Sequence, residues 1–142
     1  MKKIVLGSLI GIAIVFAFDT LIRIIISVGI EADIRVIEYE AYPGMFWKLI
    51  VASSALITTF AGSFYALKHA EDHKLTVVLL FGALIVALRY GQIHYVMGTE
   101  SLFYPIAALV FSLIGIVGAW KLTHRKKVSK KEKEPRHHQP KA

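Results

Sequence analysis

The sequence contains no cysteine, so disulfide bonds, thiolate catalysis and cysteine-ligated metal centres are excluded. Charge is also sparse over long stretches, and residues 102–120 carry none. Apolar residues make up 56% of the chain and the mean hydropathy is +0.58. Soluble domains are usually about 45–50% apolar. This composition is typical of a membrane protein.

Basic charge is concentrated at one end of the chain. Residues 121–142 contain nine Lys or Arg against two Glu, whereas residues 1–120 contain equal numbers of basic and acidic side chains. The net charge of +7 and the pI of about 9.7 therefore result from the basic residues of the C-terminal tail. We expect this tail to bind anionic lipid, or alternatively an acidic partner protein or ribosomal RNA. We do not expect the chain to bind DNA.

Four apolar stretches are long enough to cross a bilayer, which takes about 20 residues. They lie at residues 4–29, 45–67, 75–97 and 102–120. Because the backbone must satisfy its own hydrogen bonds in lipid, each is predicted to be a helix. The sequence therefore predicts an all-α, polytopic membrane protein whose four transmembrane helices form a bundle over residues 1–122. The Lys-rich remainder, 123–142, is predicted to be a disordered cytoplasmic tail.

The first stretch could instead be a signal peptide, because Lys2 and Lys3 precede an apolar run. No small-residue cleavage site follows, however, and the apolar pattern continues past Asp19 to Gly29. We therefore interpret it as an uncleaved transmembrane helix.

The charges that flank the stretches predict the orientation. Lysines lie at the N-terminus, in the 68–74 loop and in the tail, whereas the 30–44 and 98–101 segments are mainly acidic. Cytoplasmic flanks carry the excess of Lys and Arg, so both termini are predicted to be cytoplasmic. We expect an integral protein of a prokaryotic plasma membrane.

The 30–44 segment is the only sizeable extracytoplasmic feature that the sequence predicts. Its apolar residues recur at spacings of four, three and four, which suits a short surface helix, although alternation within it would also suit a strand. Pro43 and Gly44 then break the chain before the second stretch. We predict a short extracytoplasmic surface helix or loop here.

Small residues form stripes at three- and four-residue spacing on three of the predicted helices. Such stripes allow close backbone approach in a membrane, where apolar burial alone drives little association. They pack either within this chain or against another subunit. The residues predicted at helix contacts are Gly7, Gly11, Ala55, Thr59, Gly62, Ala108, Ser112 and Gly115.

Asp19 and Arg89 are charges inside the first and third stretches. Both lie roughly 4 Å beyond the membrane midplane on helices that run in the same direction. An isolated charge there costs roughly 3 kcal/mol or more, so we predict that the two side chains pair. Arg23, one turn from Asp19, is the competing partner, and Gln92 shares the face of Arg89. These four residues form the predicted buried polar network.

Two arginines and one aspartate leave this network with excess positive charge. Glu38 or Glu40, a carboxylate of a partner subunit, an anionic ligand or a lipid phosphate could offset it, and His94 is a further candidate for this outer pocket. Alternatively the network is purely architectural, with Arg23 extending to the membrane interface.

No pattern in the sequence predicts a metal, a cofactor or a catalytic residue. His69 and His73 are four residues apart, but they lie in a loop and lack the glutamate that follows the first histidine of zincins. His94 is the one histidine within the apolar stretches, so haem ligation by two histidines of this chain is not expected.

Three functions fit these features. A non-catalytic, accessory or structural subunit of a larger membrane complex is favoured by the small size and the small-residue stripes. A small oligomeric transporter or channel with an anion-selecting outer pocket is the first alternative. A lipid-modifying membrane enzyme, with Asp19 or His94 as acid or base, is the second.

Overall fold

The computed structural model describes the backbone of residues 2–31, 38–70 and 73–132. Within these residues it contains four α-helices and no β-strand. The helices are α1 (Lys2–Gly29), α2 (Gly44–Lys68), α3 (Lys74–Val96) and α4 (Phe103–Glu132). Each is long and apolar enough to cross a membrane. The prediction of an all-α membrane protein with four transmembrane helices is therefore confirmed.

The connection between α1 and α2 is described only in part. The surface helix expected within segment 30–44 falls largely on residues 32–37, which lie outside the described residues. Residues 39–43 form turns and bends, and Pro43 occupies the N-cap position of α2. Gly44 has a φ of +72°, a left-handed conformation that glycine adopts without strain. The Pro43–Gly44 pair thus marks the start of α2.

The order of the helices around the bundle is α1, α2, α4, α3. Helix α2 packs most extensively against α4 and then against α1, whereas α3 makes smaller contacts with α4, α1 and α2. Helices α1 and α3 are therefore loosely packed neighbours. They run in the same direction because they are the first and third of four consecutive helices. We call the end with the α1–α2 and α3–α4 connections the Tyr39 end, and the opposite end the Lys74 end.

Helices α1 and α2 touch backbone to backbone at Gly11 and Gly62. A Cβ atom on Gly11 would lie 2.6 Å from the carbonyl oxygen of Gly62, and one on Gly62 would overlap the carbonyl oxygen of Gly11. One turn away, a Cβ on Gly7 would make an ordinary 3.8 Å contact with the carbonyl oxygen of Ala66. Only glycine therefore allows this approach at positions 11 and 62.

Helices α2 and α4 approach each other in the same way at Gly115. A Cβ there would lie 2.6 Å from the carbonyl oxygen of Leu56 and 2.9 Å from Thr59 Oγ1. Small residues flank this contact on both helices and are fully buried, namely Ala55, Ala108 and Ser112. The small-residue stripes of α2 and α4 thus pack against other helices of this chain.

Two apolar clusters fill the bundle, one towards each end. The cluster at the Lys74 end includes Val15, Leu67, Phe81, Ile85 and Ile116. The cluster at the Tyr39 end includes Tyr39, Tyr42, Val51, Ala55 and Ala108. Asp19 and Arg89 each lie one turn beyond a residue of the first cluster, and therefore between the two.

Helix α4 continues well beyond the apolar stretch, to Glu132. The tail expected to be disordered from residue 123 is thus helical over its first part, and residues 133–142 lie outside the described residues. Lys and Arg are good helix formers, and no Gly or Pro interrupts this part of the sequence. Lys74 Nζ also donates a hydrogen bond to the Thr123 carbonyl oxygen at 2.8 Å, which links the start of α3 to α4.

Matched glycine substitutions test the close contact between α1 and α2. Gly62→Ala is expected to lower the thermal unfolding midpoint in detergent, because its Cβ would overlap the Gly11 carbonyl oxygen. Overpacking of this kind costs about 1–3 kcal/mol. Gly82→Ala is the control, since no atom lies within 4 Å of its Cβ position and alanine favours a helix by about 0.5–1 kcal/mol. Equal midpoint shifts in the two variants would contradict the contact.

Candidate functional site

Asp19 lies between two arginines. Its Oδ2 is 3.3 Å from Arg23 Nε, one turn along α1, and its Oδ1 is 3.8 Å from Arg89 Nη2 on α3. The first contact is a hydrogen bond, whereas the second is an ion pair beyond hydrogen-bond distance. Both partners considered from the sequence therefore contact the same carboxylate, and Arg23 is the closer of the two.

Arg89 is also held by α3 and α4. Its Nη1 donates to Gln92 Oε1 at 2.9 Å, and its Nε donates to Ser112 Oγ at 3.3 Å. Ser112 donates in turn to the Ala108 carbonyl oxygen at 2.8 Å. The side chain of Arg89 is 9% exposed. The sequence predicted Ser112 only at a helix contact. Its role as the hydrogen-bond acceptor of Arg89 was not predicted, although its hydroxyl group lies within an uncharged stretch.

Arg23 is buried rather than extended to the membrane interface, with 1% of its surface exposed. Its Nη2 donates to the Tyr39 hydroxyl at 3.1 Å, and its Cζ lies 4.8 Å from the centroid of the Tyr39 ring. A guanidinium at this distance is attracted to the ring. Arg23 Nη1 is buried without a hydrogen-bond partner. Tyr39 therefore belongs to the site, although no local pattern in the sequence identified it.

Glu100 fixes the position of Tyr39. Its Oε2 accepts a hydrogen bond from the Tyr39 backbone N–H at 2.9 Å, and its Oε1 accepts one from the Glu40 N–H at 3.1 Å. The carboxylate thus ties the α1–α2 connection to the α3–α4 connection. The sequence identified Glu100 only as a charge in a loop, because nothing local relates it to residues about 60 positions earlier.

Two of the candidates for the outer pocket lie apart from the arginines. Glu40 is 49% exposed and pairs with Lys48 Nζ at 2.6 Å, because the connection turns it towards the surface. His94 is exposed and stacks on Tyr90, with ring centroids 6.4 Å apart, because it lies on the opposite side of α3 from Arg89. The structure does not place either side chain in the network. Glu38 is half-buried in the α1–α2 connection.

A groove of about 320 Å³ lies between α1 and α3 and opens sideways from the bundle. Its polar lining comes from Asp19, Thr20, Arg89, Gln92 and Tyr95. The rest of its lining comes from Val15, Phe16, Ile85, Leu88 and Gly91. The groove exists because α1 and α3 pack loosely, and the shared carboxylate lies within its lining.

The hydroxyl groups of α2 bond within their own helix. Ser54, Thr58 and Ser63 donate to carbonyl oxygens three or four residues earlier, and Thr59 donates to the Ala55 carbonyl oxygen. Ser and Thr commonly bond in this way in transmembrane helices. These side chains therefore give no specific support to a transport path through the bundle.

Two carboxylate-to-amide substitutions test the importance of the shared ion pair. Asp19→Asn is expected to lower the free energy of unfolding by about 3–5 kcal/mol, because it leaves two buried guanidinium groups without a carboxylate. Glu40→Gln removes a closer but exposed ion pair and is expected to cost about 1 kcal/mol or less. Denaturant titration in detergent micelles measures both changes. A smaller loss for Asp19→Asn than for Glu40→Gln would refute the ranking.

Comparison with known proteins gives no assignment for this site. No family model, curated protein or solved structure significantly matches the chain. Its function is therefore inferred from the chemistry of the described residues. These supply a shared carboxylate, two buried guanidinium groups and a groove that opens sideways between two transmembrane helices.

Proposed function

We propose that this chain is a non-catalytic subunit of a larger integral membrane complex. The observation that carries the proposal is the outward side of α3, which has the composition of a helix contact although none of the four described helices covers it. We call this surface the α3 outer face. It consists of Ala83, Ala87, Tyr90, Gly91 and His94, all of them exposed.

Small residues form the centre of the α3 outer face. Ala83, Ala87 and Gly91 follow one another at intervals of four, and no atom lies within 4 Å of the Cβ position of Gly91. At about 100° per residue, these positions lie on the opposite side of the helix from the buried Phe81 and Ile85. Such spacing lets a second transmembrane helix approach closely. The stripes of α2 and α4 are covered inside the bundle, whereas this face is open to a partner.

Polar side chains on the same face support the proposal. Tyr90 is 68% exposed and stacks on the exposed imidazole of His94. Polar groups of transmembrane helices usually face protein or water rather than lipid. The exposed sides of α1 and α2 instead present large apolar residues such as Leu9, Phe16 and Ile57. A partner helix that covers the α3 outer face would replace an unfavourable lipid contact.

We further propose that both termini face the cytoplasm, and that the membrane is the plasma membrane of a prokaryote. The orientation is supported by the distribution of charge between the two ends of the bundle. The Lys74 end carries Lys68, Lys74 and the Arg125–Lys127 run of α4, whereas the Tyr39 end carries Glu40 and Glu100. The basic part of α4 would then lie beside anionic lipid or an acidic partner.

Ala87→Leu tests the subunit role, because the larger side chain at the centre of the α3 outer face would prevent the close approach of a partner helix. Tagged chain is purified in mild detergent from the cells that normally make it, and the co-purifying proteins are quantified by mass spectrometry. Larger membrane subunits are expected in stoichiometric amounts with the natural sequence. Their recovery should fall about tenfold with Ala87→Leu, since overpacking a close contact costs about 1–3 kcal/mol.

Ala17→Leu is the matched control for this experiment. It makes the same change on an exposed position of α1 between Phe16 and Phe18, both of which are about half exposed. It should leave the recovery of partner subunits unchanged. Purification of a homo-oligomer without other subunits would overturn the proposal and favour the transporter alternative, and equal losses in the two variants would show that α3 is not the docking helix.

Single cysteines test the orientation, because the natural sequence has none. Thr99→Cys lies between α3 and α4, and Ser129→Cys lies near the end of α4. In intact cells, an impermeant thiol reagent should label Cys at position 99 but not at position 129 until the membrane is opened. Labelling of both positions, or the reverse pattern, would disprove the orientation.

A further inference from the structure

The groove between α1 and α3 has the dimensions of a site for part of an amphiphile. From Ile85 to Tyr95 it extends about 15 Å along the axis of α3. Its volume of about 320 Å³ lies near the lower limit of ligand pockets, which span about 300–1,000 Å³. Phe16 and Leu88 on its rim are 52% and 39% exposed. Because both helices span the membrane, a molecule enters this groove from the lipid phase.

The lining changes from apolar to polar along the groove. Val15 and Ile85 form its apolar part, nearer the Lys74 end, and Gln92 and Tyr95 form its polar part, nearer the Tyr39 end. Tyr95 precedes the last residue of α3, where the helix reaches the membrane interface. A lipid of the leaflet at the Tyr39 end has the same order, with its headgroup nearer that end and its hydrocarbon towards the midplane. To reach Arg89, this headgroup enters the groove to a depth of about 9 Å below Tyr95.

The charges at the groove favour an anionic headgroup. Arg89 lines the groove and is nine-tenths buried, yet its contact with Asp19 is 3.8 Å long. The same carboxylate is closer to Arg23, at 3.3 Å, so it neutralises Arg89 only in part. A planar guanidinium binds phosphate through paired hydrogen bonds. Arg89 therefore provides a fixed, partly compensated positive charge in the lining of the groove.

Asp19 adds a second requirement, for a hydrogen-bond donor. Its Oδ1 is buried and accepts no hydrogen bond, although its Oδ2 accepts one from Arg23. A buried acceptor without a donor is destabilising. We propose that the groove binds an anionic bilayer lipid whose headgroup also carries hydroxyl groups, with its phosphate on Arg89 and a hydroxyl donated to Asp19. The acyl chain then packs on Val15, Ile85 and Leu88.

Native mass spectrometry of the delipidated full chain tests this site. The chain is incubated with phosphatidylglycerol or with phosphatidylcholine of the same acyl chains, and bound lipid is counted. Phosphatidylglycerol should be retained on the order of tenfold more strongly, because only its headgroup can donate a hydroxyl hydrogen bond to the Asp19 carboxylate. Inorganic phosphate in excess should not displace it, since the acyl chain contributes to binding.

Leu88→Trp and Val86→Trp provide matched variants of α3. Both positions are about 40% exposed, but only Leu88 lines the groove. Leu88→Trp should fill the groove and remove the preference for phosphatidylglycerol, whereas Val86→Trp should keep it. Arg89→Gln should also abolish the preference. If Arg89→Gln does not fold, Leu88→Trp still tests the site.

Three results would overturn the lipid site. They are equal retention of the two lipids, full displacement of phosphatidylglycerol by inorganic phosphate, and an equal preference for phosphatidylglycerol in the two tryptophan variants. The second of these would identify a site for a free anion instead. Ala87→Leu should leave lipid retention unchanged, because Ala87 does not line the groove. Loss of the lipid site and loss of the subunit role are thus distinguished.

Discussion

The cost of removing charge from water is the constraint on which the rest of this structure depends. Asp19, Arg23 and Arg89 lie inside apolar helices, where a charge without a partner is destabilising. One carboxylate contacts both arginines, and each arginine also forms a hydrogen bond with a further element. Arg23 holds Tyr39 of the α1–α2 connection, and Arg89 holds Ser112 of α4. The ion pairs therefore link three helices and a connection that apolar packing alone would join less specifically.

Close packing around α2 explains why the groove lies between α1 and α3. The glycine contacts at Gly62 and Gly115 draw α1 and α4 tightly onto α2 from two sides. The two glycines of α3, Gly82 and Gly91, make no comparable contact, since nothing lies within 4 Å of their Cβ positions. Helix α3 is held instead by side chains such as Phe81 and Arg89. The same loose packing leaves its outer face uncovered, so both proposed sites follow from the position of α3.

The four spans could be predicted from hydropathy alone. The proximity of Asp19 to Arg89, 3.8 Å in the structure, was inferred from their similar depth on helices that run in the same direction. The sequence did not identify Tyr39 and Glu100 as members of the site, since their positions depend on how two connections fold against each other. Glu40 and His94 were candidates for the outer pocket, Glu40 because its charge could offset an arginine, and the structure turns both away. The α3 outer face was missed because its small residues lie within an apolar stretch, and only burial shows which side is covered.

Sharing of one carboxylate by two arginines is the central claim, and double-mutant cycles test it most directly. The cycles combine Asp19→Asn with Arg23→Gln and, separately, Asp19→Asn with Arg89→Gln, and they measure the free energy of unfolding in detergent. Both coupling energies should be favourable. The coupling to Arg23 should be the larger, because its contact is 3.3 Å against 3.8 Å. Additive effects in either cycle would show that the arginine concerned does not share Asp19.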